Sequence, residues 1–137
     1  MYEVMRQADI PPRAVQDLRE AVGWDRSEGT TARVLAQSYA HFSITDASGL
    51  VGFLRVVSDG VDDAYLGDLM VHPRLQRKGL GRALITRALE ELSADRIRCI
   101  QVTFHPGLEP FYRACGFDII GAGIIDRFDR AREQRTG

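Results

Sequence analysis

The stretch from Gly79 to Asp95 constrains the fold more than any other part of the chain. Leu80, Leu84, Ala88 and Leu92 recur every four residues, and Ile85 and Leu89 widen the stripe. An amphipathic helix with one apolar face is expected there. The strand-like run Ala64–Val71, stopped by Pro73, precedes it. Ile100, Val102 and Phe104 alternate after it as a further strand. A helix between two strands reads as a crossover connection, so part of the sheet is expected to be parallel.

The rest of the chain supplies hairpins and short helices. Tyr2–Gln7 reads as a first strand. Pro11-Pro12 opens a helix whose Val15, Leu18 and Val22 share a face, ending near Gly23. Ser27–Tyr39 reads as a second helix with Ser27 as N-cap and Val34, Leu35 and Tyr39 as its apolar positions. His41–Thr45 and Leu50–Ser58 are strands joined through Asp46-Ala47-Ser48-Gly49, a hairpin signal. Pro110 sits where a first-turn proline belongs, which gives a short helix over Glu109–Cys115 closed by Gly116. Phe117–Phe128 reads as a last strand interrupted at Gly121-Ala122-Gly123, and residues 129–137 as a polar tail. This order predicts an α+β fold, a mixed and mainly antiparallel sheet flanked by helices, in one domain spanning 1–137.

Charge and cysteine content narrow the function classes. Eighteen basic and nineteen acidic residues leave a formal net charge of -1, against the basic excess of a general nucleic-acid binder. Cys99 and Cys115 form no C-x-x-C pair, and His41, His72 and His105 have no metal-ligand spacing. No metal site is expected. With no signal sequence in Met1–Ile10 and no long apolar run, the expectation is a cytoplasmic protein without a membrane span.

The chemistry concentrates in the loop before the main helix. Gly79 and Gly81 flank one residue at the helix start, where bare backbone can approach a ligand. The amides of a first helical turn have no internal partner. Arg74, Arg77, Lys78 and Arg82 crowd the same end, where the helix dipole disfavours cations unless an anion joins them. A phosphate would take both amide and charge-assisted hydrogen bonds; a solvated basic loop is the plainer alternative. Lys78 is the only lysine of the chain. The loop is not a Walker motif, and Gly79-Leu80-Gly81-Arg82-Ala83-Leu84 lacks the third glycine of a dinucleotide fingerprint.

Gln76-Arg77-Lys78-Gly79-Leu80-Gly81, preceded by Leu69-Met70-Val71-His72-Pro73, resembles the acetyl-coenzyme A motif of the GNAT superfamily of N-acetyltransferases. Phe111-Tyr112-Arg113-Ala114-Cys115-Gly116-Phe117 is similar to that family's F-Y-x-x-x-G-F helix. The resemblance covers nearly the whole chain. It implies that acetyl-CoA is the co-substrate, with its pyrophosphate on Arg77, Lys78, Gly79, Leu80, Gly81 and Arg82 and with Gln76 at the motif's first position. It implies that the pantetheine arm pairs with the backbone of Leu69, Met70 and Val71.

By the same resemblance Tyr112 is the general acid, its alternative being a packed aromatic. The base is Asp68 or a relay through water; some family members carry a glutamate near the position of Tyr65. His105, where many members have an asparagine near the cofactor, either donates a hydrogen bond or caps its loop. Both cysteines read as packing residues, so direct transfer in a ternary complex is expected. The acceptor is an amine, of a small molecule or a protein, bound around Trp24–Thr31 and the last strands. Trp24, Tyr39 and Tyr65 are candidate pocket aromatics, and Asp25 and Glu28 candidate attractors of a cationic amine. The apolar stretch Ile119–Ile125 offers a homodimer face. A non-catalytic acetyl-CoA-binding regulatory module is the alternative function.

Overall fold

The structure, a computed structural model, describes residues 2–26 and 29–127. Five strands form one sheet in sequential order: β1 (Met5–Arg6), β2 (Ala40–Asp46), β3 (Gly49–Ser58), β4 (Asp63–Val71) and β5 (Cys99–Val102). The first four are antiparallel, and β5 runs parallel to β4 after the crossover. The helices are α1 (Pro12–Ala21), α2 (Thr31–Gln37), α3 (Leu80–Ala94) and α4 (Glu109–Ala114). The α+β class with a mainly antiparallel sheet is as the sequence predicts.

Strand alternation divides the core. Phe42 and Ile44 of β2, Leu54 and Val56 of β3 and Leu66 of β4 are buried in one cluster with Leu84, Ile85, Ala88 and Leu92 of α3. Each Leu or Ile buried in this way contributes roughly 1.5–3 kcal/mol. Phe53 and Met70 point the other way, into a second cluster with Ile10 and with Val15 and Leu18 of α1. The sheet is thus covered on both faces.

Four elements differ from the expectation, each for a local reason. Only Met5–Arg6 of the first strand pairs with β2. The second helix begins at Thr31, after Gly29, a residue that weakens helices. It ends at Gln37, because Tyr39 donates its N–H to the Val56 carbonyl and has already joined the sheet. The expected cap Ser27 lies outside the described residues. Strand β5 stops at Val102, short of Phe104, where β4 turns away from it. Residues 117–126 pair with no strand, although Phe117 and Ile119 pack against the core edge. Gly121 and Gly123 leave this segment without the side chains that hold a ladder together. Phe128 and the polar tail 129–137 lie outside the described residues.

Candidate active site

The site originates in an irregularity of β4. Asp68 has φ +56, a left-handed conformation costly for a non-glycine residue. Around it the β3–β4 register slips, Arg55 facing Gly67 while Phe53 faces Met70. An extra residue in one strand is a bulge, which bends the strand. The parallel ladder between β4 and β5 ends at Leu66↔Val102, immediately before the bulge. Beyond that point β4 runs on to Val71 without a partner on its β5 side, and two clefts open in the gap.

One cleft, of about 330 Å³, is lined by Leu69, Val71, Gln76, Arg77, Leu80, Gly81 and Tyr112 among others. Leu69 and Val71 turn their side chains into it, whereas Met70 is buried beneath α1 and offers this side only backbone. Gly79 caps α3 with φ +85 and no side-chain cap bond, and the first turn holds no acid. The Leu80, Gly81 and Arg82 amides therefore lack intrahelical acceptors. A Cβ on Gly81 would sit 3.4 Å from the Phe111 ring and 3.8 Å from Val71, so α3 begins hard against α4 and β4.

The four cations of the loop have separate roles. Arg74 is committed elsewhere: its guanidinium bonds Asp46 Oδ2 at 2.7 Å and also the Ser48 hydroxyl, bracing the loop on the β2–β3 turn. Ser48 and Arg74 together hold the Asp46 carboxyl down to about 2. The brace is therefore intact above the ordinary carboxylate range and is lost only as the pH falls toward that value. Arg77, Lys78 and Arg82 are exposed and have no hydrogen-bond or ion-pair partner among the described residues. Gln76 donates its side-chain N–H to the Val71 carbonyl at 3.0 Å, tying the loop to the end of β4. The first position of the motif is therefore a brace as well.

The second cleft, of about 270 Å³, lies on the other side of Tyr112, and its lining includes Trp24, Tyr65, Gly67, Asp68, Thr103 and His105. Tyr65 lies over Gly67, where a Cβ would meet its ring at 3.2 Å, and its hydroxyl is hydrogen-bonded with Thr103 at 2.7 Å. Among the described residues Asp68 is the one acid lining this cleft, Glu28 lying outside them, and it is already engaged: Arg55 Nε donates to Oδ2 at 2.6 Å, and Arg19 stands 4.0 Å from Oδ1. His105 lines this second cleft rather than the first, and its Nδ1 accepts the Gly107 N–H at 3.1 Å. The ring proton then sits on Nε2, so His105 caps its loop and is a donor too.

Tyr112 lines both clefts, as do Leu69 and Leu108. Its ring stacks on Phe104 at 4.5 Å and meets the edges of Phe111 and Phe117. The ring is buried, and the hydroxyl has no hydrogen-bond partner among the described residues. Burial, with smaller effects of Cys115 and Tyr65, pushes the phenol up to about 12. A phenol kept protonated beside an open seam can deliver a proton or a hydrogen bond there. Neither cysteine lines either cleft, and burial raises the Cys115 thiol, which disfavours the nucleophilic thiolate.

The acetyltransferase (GNAT) domain model matches residues 9–127 of the chain. The chain belongs to the GNAT acetyltransferase family. Among curated relatives, serotonin N-acetyltransferase 2, chloroplastic, of Oryza sativa subsp. japonica is 32% identical over 135 residues, covering 98% of this chain and 63% of the relative. GCN5-related N-acetyltransferase 3, chloroplastic, of Arabidopsis thaliana is 40% identical over 75 residues, covering 54% of this chain and 32% of the relative. The chain therefore spans less than two thirds of the length of either. Among solved structures, the GNAT family protein SP0256 of Streptococcus pneumoniae TIGR4 superposes with a TM-score of 0.75 at 28% identity, covering 93% of this chain and 99% of that one.

The plant relatives of this GNAT chain correct one expectation. The rice protein and two from Arabidopsis thaliana are named chloroplastic, so the cytoplasmic assignment does not stand. It rested on the lack of a signal sequence, which says nothing about organelles. Among the described residues no helix is long and apolar enough to cross a membrane, and no group of three or more metal-ligating side chains occurs. Gly67, Thr103, Leu108, Arg55 and Arg19 had no sequence signal as site residues, except that a glycine inside a strand pattern marks Gly67 as a place of bulging or close approach.

Proposed function

We propose that this GNAT domain transfers the acetyl group of acetyl-CoA to a primary amine by direct attack in a ternary complex. The observation that carries this reading is the seam: Tyr112 lines both clefts, each of which suits one substrate. In the first, the unpartnered amides of Leu80, Gly81 and Arg82, the left-handed Gly79 and the free cations Arg77, Lys78 and Arg82 suit a pyrophosphate. The open edge of β4 at Leu69, Met70 and Val71 suits an amide-bearing arm that adds itself as a strand. A β4 N–H near Met70 would receive the developing oxyanion. Tyr112 would then protonate the departing thiolate, and burial keeps that proton in place up to about 12.

Asp68 is a poor candidate for the base in this arrangement. Its carboxylate is held by Arg55 at 2.6 Å, and a proton would have to displace that bond. The amine's proton is therefore assigned to water in the second cleft, the relay being the other route open from the sequence. His105, with its Nδ1 engaged, serves as a donor to the acceptor or to the acyl arm.

For the acceptor we infer an arylalkylamine. Trp24 and Tyr65 give the second cleft aromatic walls, no unengaged carboxylate among the described residues lines it to hold a cation, and the rice relative is named a serotonin N-acetyltransferase. An amine panel run with acetyl-CoA, including phenethylamine, tryptamine, serotonin and simple alkylamines, tests the reading through release of free thiol. Thiol release favouring the aryl amines is expected; binding of acetyl-CoA with no release by any amine would leave the non-catalytic module instead. No nucleic acid or metal enters this scheme. The proposed homodimer face remains the C-terminal apolar stretch, where Ile120 and Ile125 are 85% and 79% exposed, and sedimentation of the protein decides it.

A further inference from the structure

Arg19 has no place in the transfer chemistry, yet it touches two residues that line the second cleft, Trp24 and Asp68, and the backbone of Asp25 beside it. It lies in the last turn of α1. Gly23, at φ +88, then turns the chain so that Trp24 N–H returns to the Arg19 carbonyl at 2.9 Å. The Arg19 guanidinium lies 5.4 Å from the centre of the Trp24 ring, and its Nε donates to the Asp25 carbonyl at 2.8 Å. Its Nη1 is 4.0 Å from Asp68 Oδ1, on the β4 bulge, whose other oxygen is fixed by Arg55. A single planar cation thus joins the loop after α1 to the strand that opens the site.

The loop backbone is tied to α1 by the Gly23 and Trp24 N–H groups and by the Arg26–Asp17 bond at 3.0 Å, but the Trp24 indole, 40% exposed on an irregular connection, gains from Arg19 a contact that joins it to β4. The indole lines the acceptor cleft together with Asp68. A cation–π contact, a hydrogen bond to backbone and an ion pair acting on one guanidinium fix a loop better than any one of them alone. Lysine has the charge but not the planar fork needed to serve all three.

We propose that Arg19 is a positioning residue for acceptor specificity: it clamps Trp24 and Asp25 to the Asp68 bulge, so that the indole forms a fixed wall for an aryl group. Asp68 then acts as the anchor of this clamp. The inference rests on the second cleft being the acceptor site, and it adds the residue that sets its width.

Trp24 is the only tryptophan of the chain, so its emission reports the clamp directly. Arg19→Ala is expected to shift the emission to the red and increase its quenching by acrylamide. It should also raise the KM for phenethylamine about tenfold, the loss of a cation–π contact and a charge-assisted hydrogen bond. The KM for acetyl-CoA, kcat at saturation and the KM for a short alkylamine should stay as in the wild type, a split that general destabilisation would not produce. Arg19→Lys should restore part of the emission but little of the phenethylamine KM. Unchanged emission with unchanged phenethylamine KM in Arg19→Ala overturns the clamp, as does an equal rise in all KM values. If the wild type acetylates no amine, phenethylamine quenching of Trp24 replaces KM as the readout. Quenching lost in Arg19→Ala then supports the clamp while the transfer reading fails.

Discussion

The two clefts flanking Tyr112 are built from different materials. The cleft proposed for the cofactor has apolar walls such as Leu69, Val71 and Phe111, and much of its polar character comes from backbone: a left-handed glycine, a helix start without a cap, and a strand edge left open by a bulge. Of the polar side chains around it, Gln76 on the Val71 carbonyl and Arg74 on Asp46 are braces, while Arg77, Lys78 and Arg82 have no hydrogen-bond or ion-pair partner among the described residues. The acceptor-side cleft is made by side chains from the α1–α2 connection, β4 and the segment after β5, held by the Tyr65–Thr103 and Arg55–Asp68 bonds. Backbone sites recognise what every substrate pair shares, in the proposed reading a phosphorylated acyl carrier. Side-chain sites can be rebuilt one residue at a time, and that is where one acceptor is told from another.

If this division holds, substitutions should separate cleanly by cleft, with Tyr112 belonging to both. Tyr112→Phe should give the largest effect, a fall in kcat of about 10²–10⁴-fold with acetyl-CoA affinity unchanged by calorimetry. In the wild type, kcat/KM should rise with pH as the amine loses its proton, with no descending limb until the phenol ionises at about 12. A descending limb near neutrality would remove Tyr112 as the acid. Next in size, Gly79→Ala places a Cβ at φ +85 and should cost roughly 1–2 kcal/mol. That strain should appear as about a 5–30-fold weaker acetyl-CoA dissociation constant, with phenethylamine KM unmoved.

On the proposed acceptor side, Gly67→Ala crowds Tyr65, since the new Cβ would lie 3.2 Å from a ring that must then give by a few tenths of an ångström. Overpacking of this kind costs roughly 1–3 kcal/mol, so phenethylamine KM should rise about fivefold or more while acetyl-CoA affinity holds. The smallest effect should come from Lys78→Ala, a loss of about twofold to fivefold in acetyl-CoA affinity that shrinks at high salt. An unchanged dissociation constant would reduce the single lysine to an accident of composition.

The same division explains what could be read from the sequence. Glycine spacing, the helix stripe beginning at Leu80 and the proline after Val71 are local signals, and the cofactor-side loop is built from local geometry. The short helix that carries Tyr112 was legible for the same reason, Pro110 and Gly116 marking its two ends. The bulge at Asp68 was legible only in so far as Gly67 marks a place of bulging; that Asp68 takes the left-handed conformation depends on pairing with β3. With that conformation hidden, Asp68 reads as a free acid, whereas Arg55 occupies it from thirteen residues away. In the sequence Arg74 is one more cation crowding the helix start; in the fold it pairs with Asp46 on the hairpin turn. The last strand failed differently: Phe117–Phe128 has apolar residues enough, but Gly121 and Gly123 break the run before a ladder forms. The acceptor cleft draws Trp24, Tyr65, Thr103 and His105 from distant points of the chain, and only tertiary packing brings them together.

In the proposed reaction both substrates meet at the Tyr112 seam. Initial rates of thiol release with acetyl-CoA and phenethylamine varied together test this most directly. Intersecting double-reciprocal lines, with no release before the amine is added, are the expected result. Parallel lines, with an acetyl group left on the protein when acetyl-CoA is supplied alone, would contradict it.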